Sequence, residues 1–110
     1  MIDEIRKAIH ERKLIRFNYT GDSVSGFREV EPYQIAFTRA NHLALSAWFL
    51  SGASESGSGA GWRSYLLSEI DSLTVLEEHF EGTRPNYKPG TNKIYHNIQC
   101  EIGPSNELII

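Results

Sequence analysis

The stretch HLALSAWFL, residues 42–50, restricts the possible folds of this chain more than any other. In an extended backbone Leu43, Leu45, Ala47 and Phe49 fall on one side and Ala44, Trp48 and Leu50 on the other, with only Ser46 interrupting. Successive side chains of a strand point to opposite faces, so apolar residues at both parities call for cover on both sides. The segment is therefore expected to be an interior strand of a covered sheet.

The neighbouring segments supply the rest of that sheet. In LIRFNY, Ile15, Phe17 and Tyr19 share one face while Arg16 and Asn18 share the other, a period of two rich in strand formers. TGDSVSG, residues 20–26, is turn chemistry, after which FREVEPYQIAF resumes an extended pattern. Pro32 lacks the donor that a central ladder needs, so a bend or an edge is expected there. WRSYLL reads as another strand, and SEIDSLTVLEEHF divides into a helical turn around residues 68–70 and a strand near 72–78. Ahead of them, Ile2, Ile5 and Ile9 recur at helical spacing with acids leading and bases trailing, which predicts a helix over about residues 2–12. A helix this short is marginal alone, so its isoleucine stripe must dock on the sheet. The expectation is a mainly β domain, α+β by content, over residues 1–82.

Residues 83–110 form an extension. EGTRPNYKPG leaves the core, and IYHNIQCEI, residues 94–102, alternates Ile94, His96, Ile98, Cys100 and Ile102 on one face. That reads as one further strand, which either completes the sheet or pairs with a second copy or a protein partner.

The totals narrow the class. A chain of 110 residues is the length of one domain, and no apolar run approaches the ~20 residues that span a bilayer. The start MIDEIRKAIHERK lacks a secretory apolar segment and the single Cys100 cannot form an internal disulfide, so the cytoplasm is the expected compartment. Residues 1–40 carry a net charge of +1 and residues 41–110 one of −4. Unspecific gripping of duplex phosphates needs a basic surplus, so any nucleic-acid site must be small and local.

Few residues look catalytic. The loop SESGSGAGW precedes a strand, whereas a phosphate cradle presents backbone donors at the start of a helix, and the Lys-Ser/Thr pair of a P-loop is missing. It reads as a hairpin connection. His10, His42, His79 and His96 are scattered, Cys100 alternates with isoleucines, and no nucleophile elbow occurs, so neither metal, cofactor nor enzymatic activity is expected. Arg28, Trp48, Trp62, Arg63 and Tyr65 instead combine planar cations with aromatic rings on or beside strands. Guanidinium groups bind phosphates and rings stack on bases, which suits a nucleotide. The structural alternative is that Trp48 and Trp62 fill the core while Arg28 and Arg63 pair with Glu29, Glu31 or Glu69.

The succession RKAIHERKLIRFNY, REVEPYQI, LALSAW and GWRSYLLSEIDSL, from about residue 2 to residue 82, resembles the WYL domain, a bacterial module. The resemblance implies an SH3/Sm-like five-stranded small barrel with an N-terminal helix. It also implies a non-catalytic regulatory role in transcription regulators, through a nucleotide-like or single-stranded nucleic-acid ligand. Arg28, followed by Pro32 and Tyr33, matches the R-x-V-x-P-Y motif, and Arg63 and Tyr65 match the start of R-x-F. With Trp62 they make up the expected ligand-binding set. Two departures stand out: the W-Y-L tripeptide falls on Leu43-Ala44-Leu45, and the second arginine of the R-I motif is replaced by Glu69. An anion there repels an anionic ligand. Residues 2–12 offer one helix, whereas a helix-turn-helix needs two.

Overall fold

The computed structural model describes residues 1–53, 59–82 and 84–85 in full, and the backbone of residues 95–102 and 108–109. The helix α1 spans Ile2–Glu11 and buries Ile5, Ala8 and Ile9 against the sheet, as its apolar stripe requires. Arg12 ends it in the left-handed conformation (φ 56°), and the chain turns straight into the first strand.

Five strands form an antiparallel path. They are β1 (Lys13–Tyr19), β2 (Gly26–Thr38), β3 (Leu43–Gly52), β4 (Gly61–Leu66) and β5 (Ile70–His79), the last two joined by a 3-10 turn at Leu67–Glu69. Their order is β4-β3-β2-β1-β5. HLALSAWFL thus lies inside the sheet, with Ala44, Leu45, Ala47 and Phe49 buried. Two further strands, β6 (Tyr95–Ile102) and β7 (Leu108–Ile109), extend it: β6 pairs with β2, and β7 with β6. The expected strand at 94–102 therefore pairs within its own chain, except that Ile94 lies outside the described residues. Nothing in the sequence reading anticipates β7. Residues 54–58 of the Ser/Gly connection also lie outside the described residues, while Gly61 onwards is a strand, as its sequence implies.

β2 runs unbroken through Pro32, because a register shift between Pro32 and Gln34 takes up the irregularity. On its other edge, β1 pairs as far as Val30 and β6 begins only at Gln34. Pro32 occupies the gap between them, a local edge inside a central strand, where a missing donor does least harm.

Further register shifts occur between Glu29 and Val30 and at two places in the β1–β5 ladder. Bulges bend strands and increase twist, and here they roll the sheet. The Tyr65 ring of β4 lies 5.0 Å from Phe17 and 4.9 Å from Tyr19 of β1, although β4 and β1 are three places apart in the path. The backbone N–H of Leu66 donates to the Tyr19 hydroxyl (3.0 Å) and that of Thr20 to the Glu69 carbonyl (3.1 Å). The five-stranded barrel expected from the resemblance is corrected in one respect: β4 and β5 do not pair, so the sheet is rolled but open. The 3-10 turn joins β4 to β5 and carries β5 to the far side of β1, at the opposite end of the strand path.

Inside the roll lie Ile15, Phe17, Val30, Ile35, Leu45 and Ala47, each inaccessible to solvent. Large side chains buried in this way contribute roughly 1.5–3 kcal/mol each by removal from water. Among the described residues no helix is long and apolar enough to cross a membrane.

Candidate functional site

Arg28 sits on β2 between Phe17 of β1 and Gly52 of β3, so its side chain joins the inner face of the roll. It is 1 % exposed. A buried cation must be paired and hydrogen-bonded. Nε donates to the Ala53 carbonyl (2.7 Å), and Nη2 donates to Asp22 Oδ1 (3.1 Å) and to the Val24 carbonyl. The guanidinium carbon lies 5.0 Å from the Tyr19 ring centre and 6.0 Å from that of Tyr65. Its Nη1 is buried without a hydrogen-bond partner among the described residues. The Asp22 carboxylate also accepts the Val24 N–H (3.0 Å), which winds residues 22–24 around it.

The acids weighed from sequence as partners do not hold Arg28. Glu29 accepts from Ser51 Oγ (3.3 Å), Glu69 accepts from Thr20 Oγ1 (3.2 Å), and Glu31 binds Arg84. Sequence reasoning missed Asp22. The available signal was an Asx-type turn in TGDSVSG, six residues before the arginine.

Arg63 alternates with Tyr65 on β4, so both point to one side of that strand. Arg63 is half-buried, with its guanidinium carbon 5.3 Å from the Phe49 ring centre, and it donates to the carbonyls of Trp62 and Gly59, each at 2.9 Å. Burial pushes the Tyr65 phenol up to about 12, while the fields of Arg28 and Arg63 both pull it down. The two cations therefore act on one hydroxyl. Because the folded value lies above the ordinary 10.0, the neutral phenol stabilises the fold fully below pH 10.0, and that contribution is lost as pH rises to about 12. Burial raises Tyr19 and Tyr33 as well. A titration of tyrosinate absorbance alongside stability is expected to show a loss of stability beginning above pH 10.0. A curve flat to pH 12 would contradict the burial of Tyr65.

Tyr33 and Trp62 belong to a second group. The bulge after Pro32 leaves Glu31 and Tyr33 beside each other, and both are buried. The Tyr33 hydroxyl donates to Glu31 Oε1 (3.2 Å). Trp48 and Trp62, paired across β3 and β4, are half-buried against the core with rings edge to face at 5.4 Å, and Trp62 meets Tyr33 in the same way at 4.9 Å. Both tryptophans thus pack against the core without filling it. Over this group lies the start of the extension. Arg84 forks onto Glu31 through Nε (2.8 Å) and Nη2 (2.6 Å), its backbone N–H donates to the Tyr33 hydroxyl (3.1 Å), and its guanidinium carbon is 5.3 Å from the Trp48 ring centre. Trp62 Nε1 donates to the Pro85 carbonyl (2.7 Å). The hydrogen bond to Glu31 holds Arg84 above its ordinary value. The expected ligand-binding set is thus divided: Arg28, Arg63 and Tyr65 share the inner face near one end of the roll, while Tyr33 and Trp62 hold residues 84–85. Tyr87, which the sequence places in the same tail, lies outside the described residues.

Comparison with protein families gives a match. The WYL domain model fits residues 1–75, which takes in α1, β1 to β4, the 3-10 turn and the first part of β5, and so all five expected site residues. No curated protein and no solved structure matches the chain. The helix, the first four strands and the REVEPY segment with its buried arginine all fall within the matched segment, and on that match the chain belongs to the WYL domain family.

Proposed function

We propose that this WYL domain is a non-catalytic regulatory module that binds a phosphate-bearing ligand, a nucleotide or single-stranded nucleic acid, where Arg28, Arg63 and Tyr65 converge. What supports the reading is that the Arg28 guanidinium packs 6.0 Å from the Tyr65 ring centre, that Arg63 alternates with Tyr65 on the same side of β4, and that both cations pull the Tyr65 phenol down. Arg63 supplies the charge nearer solvent, and Arg28, buried beneath it with Nη1 not engaged among the described residues, supplies the fixed positive field. Arginine beside aromatic rings suits phosphate and base together. A cytoplasmic role in transcription control is the setting that the family resemblance suggests.

The test is a titration with adenosine monophosphate and with a short single-stranded oligonucleotide, followed by tryptophan fluorescence, since Trp62 adjoins Arg63. At low salt a saturable change is expected, weakened by added salt. Arg63→Ala should weaken binding about tenfold or more, the scale of a lost charge-assisted hydrogen bond. No response at low salt, or an Arg63→Ala protein indistinguishable from the parent, removes this reading. The alternative is an oligomerisation module that uses residues 94–102. It requires size to rise with concentration, and the pairing of β6 with β2 of its own chain supports a role for the extension within the fold instead.

A further inference from the structure

The contacts around Arg84 and Pro85 have the form of a receptor and its ligand. Glu31 is a carboxylate with a side chain 4 % exposed, placed on a strand of the sheet interior, whereas the Arg84 side chain is 42 % exposed. The receptor groups stand on β2, β3 and β4, and the occupant comes from beyond β5. Two of the contacts read the main chain of the occupant rather than its side chain: the Tyr33 hydroxyl accepts the Arg84 N–H, and the Trp62 indole donates to the Pro85 carbonyl. The remaining contacts suit a planar guanidinium in particular, through a two-point fork onto Glu31 and a ring face at Trp48. Lysine offers a point charge and no fork.

We propose that Glu31, Tyr33, Trp48 and Trp62 form a recognition site for an arginine–proline peptide segment, with Arg84–Pro85 as its tethered occupant. The partner that fits in trans is a protein chain displaying the same dipeptide. The site is separate from the phosphate-binding reading above and does not depend on it. Tethering holds the internal occupant at an effective concentration on the order of mM, so an external segment enters when Arg84 is removed or released.

The experiment uses the full chain with Arg84→Ala and the probe N-acetyl-Arg-Pro-amide, followed by tryptophan fluorescence and by the thermal midpoint. A saturable fluorescence change and a rise in the midpoint are expected, with N-acetyl-Lys-Pro-amide at least about tenfold weaker. The parent protein should not respond at the same concentrations, and Glu31→Gln combined with Arg84→Ala should abolish the response. If Arg84→Ala does not fold, Arg84→Lys serves in its place, because it retains a cation over Trp48 without the fork. Absence of saturation, equal binding of the lysine peptide, or a response that survives Glu31→Gln would each overturn the assignment.

Discussion

Arg28→Ala is expected to destabilise the protein by about 3 kcal/mol or more, the scale of breaking a buried ion pair by removing one partner. For a domain of this size that lowers the thermal midpoint by roughly 10 °C or more. Three acceptors lose their donor together: the Asp22 carboxylate and the carbonyls of Val24 and Ala53. The rings of Tyr19 and Tyr65 also lose the cation that packs against both. Adding Asp22→Asn to Arg28→Ala should recover part of the loss, since a neutral amide is less costly to leave unpaired than a carboxylate. Thermal unfolding of the two variants checks both statements. A midpoint within a few degrees of the parent would mean that Arg28 does not anchor the loop after β1. The same burial explains why the function is tested through Arg63: a ligand lost with Arg28→Ala could not be separated from a loop that has come away.

Gly52→Ala should be comparably severe, at roughly 3 kcal/mol, for a backbone reason. Gly52 has φ +113°, and a Cβ there would lie 2.2 Å from the Phe27 carbonyl oxygen and 2.9 Å from the Arg28 Cα. Both are main-chain atoms of the paired strand, so no rotamer change relieves the contact, and β2 and β3 would have to part where Arg28 is held. Gly59 is the control. It also has positive φ, +77°, but none of the described residues stands within 4 Å of its Cβ position, so Gly59→Ala should cost only the left-handed strain, roughly 1 kcal/mol. Denaturant midpoints of the pair measure the difference. Equal effects would show that strain rather than the close strand approach governs position 52.

The elements were legible because each is written in local periodicity. The isoleucine stripe gave α1, the side-chain pattern gave β1 and β3, and WRSYLL gave β4. Family membership was legible too, since it rests on the order of those same segments. The grouping of the site residues was not. Counting by twos puts Glu31 and Tyr33 on one face, but nothing in that count says that Tyr33 and Trp62 serve the extension while Arg28 and Arg63 turn to Tyr65. The pairing of Asp22 with Arg28 and that of Arg84 with Glu31 were not legible for the same reason: each forms through the path of the chain in space, across 6 and 53 residues of sequence respectively.

The sequence by itself therefore determined which segments extend, which face of each is apolar, and that Arg28 follows a turn near the start of an extended segment. Tertiary structure alone decided that the bulges roll the sheet without closing it, which carboxylate meets which guanidinium, and that residues 84–85 cover Glu31. The physical reason is one of range. Side-chain alternation acts between neighbours two residues apart, whereas ion pairs and sheet closure depend on where bulges and turns deliver distant strands.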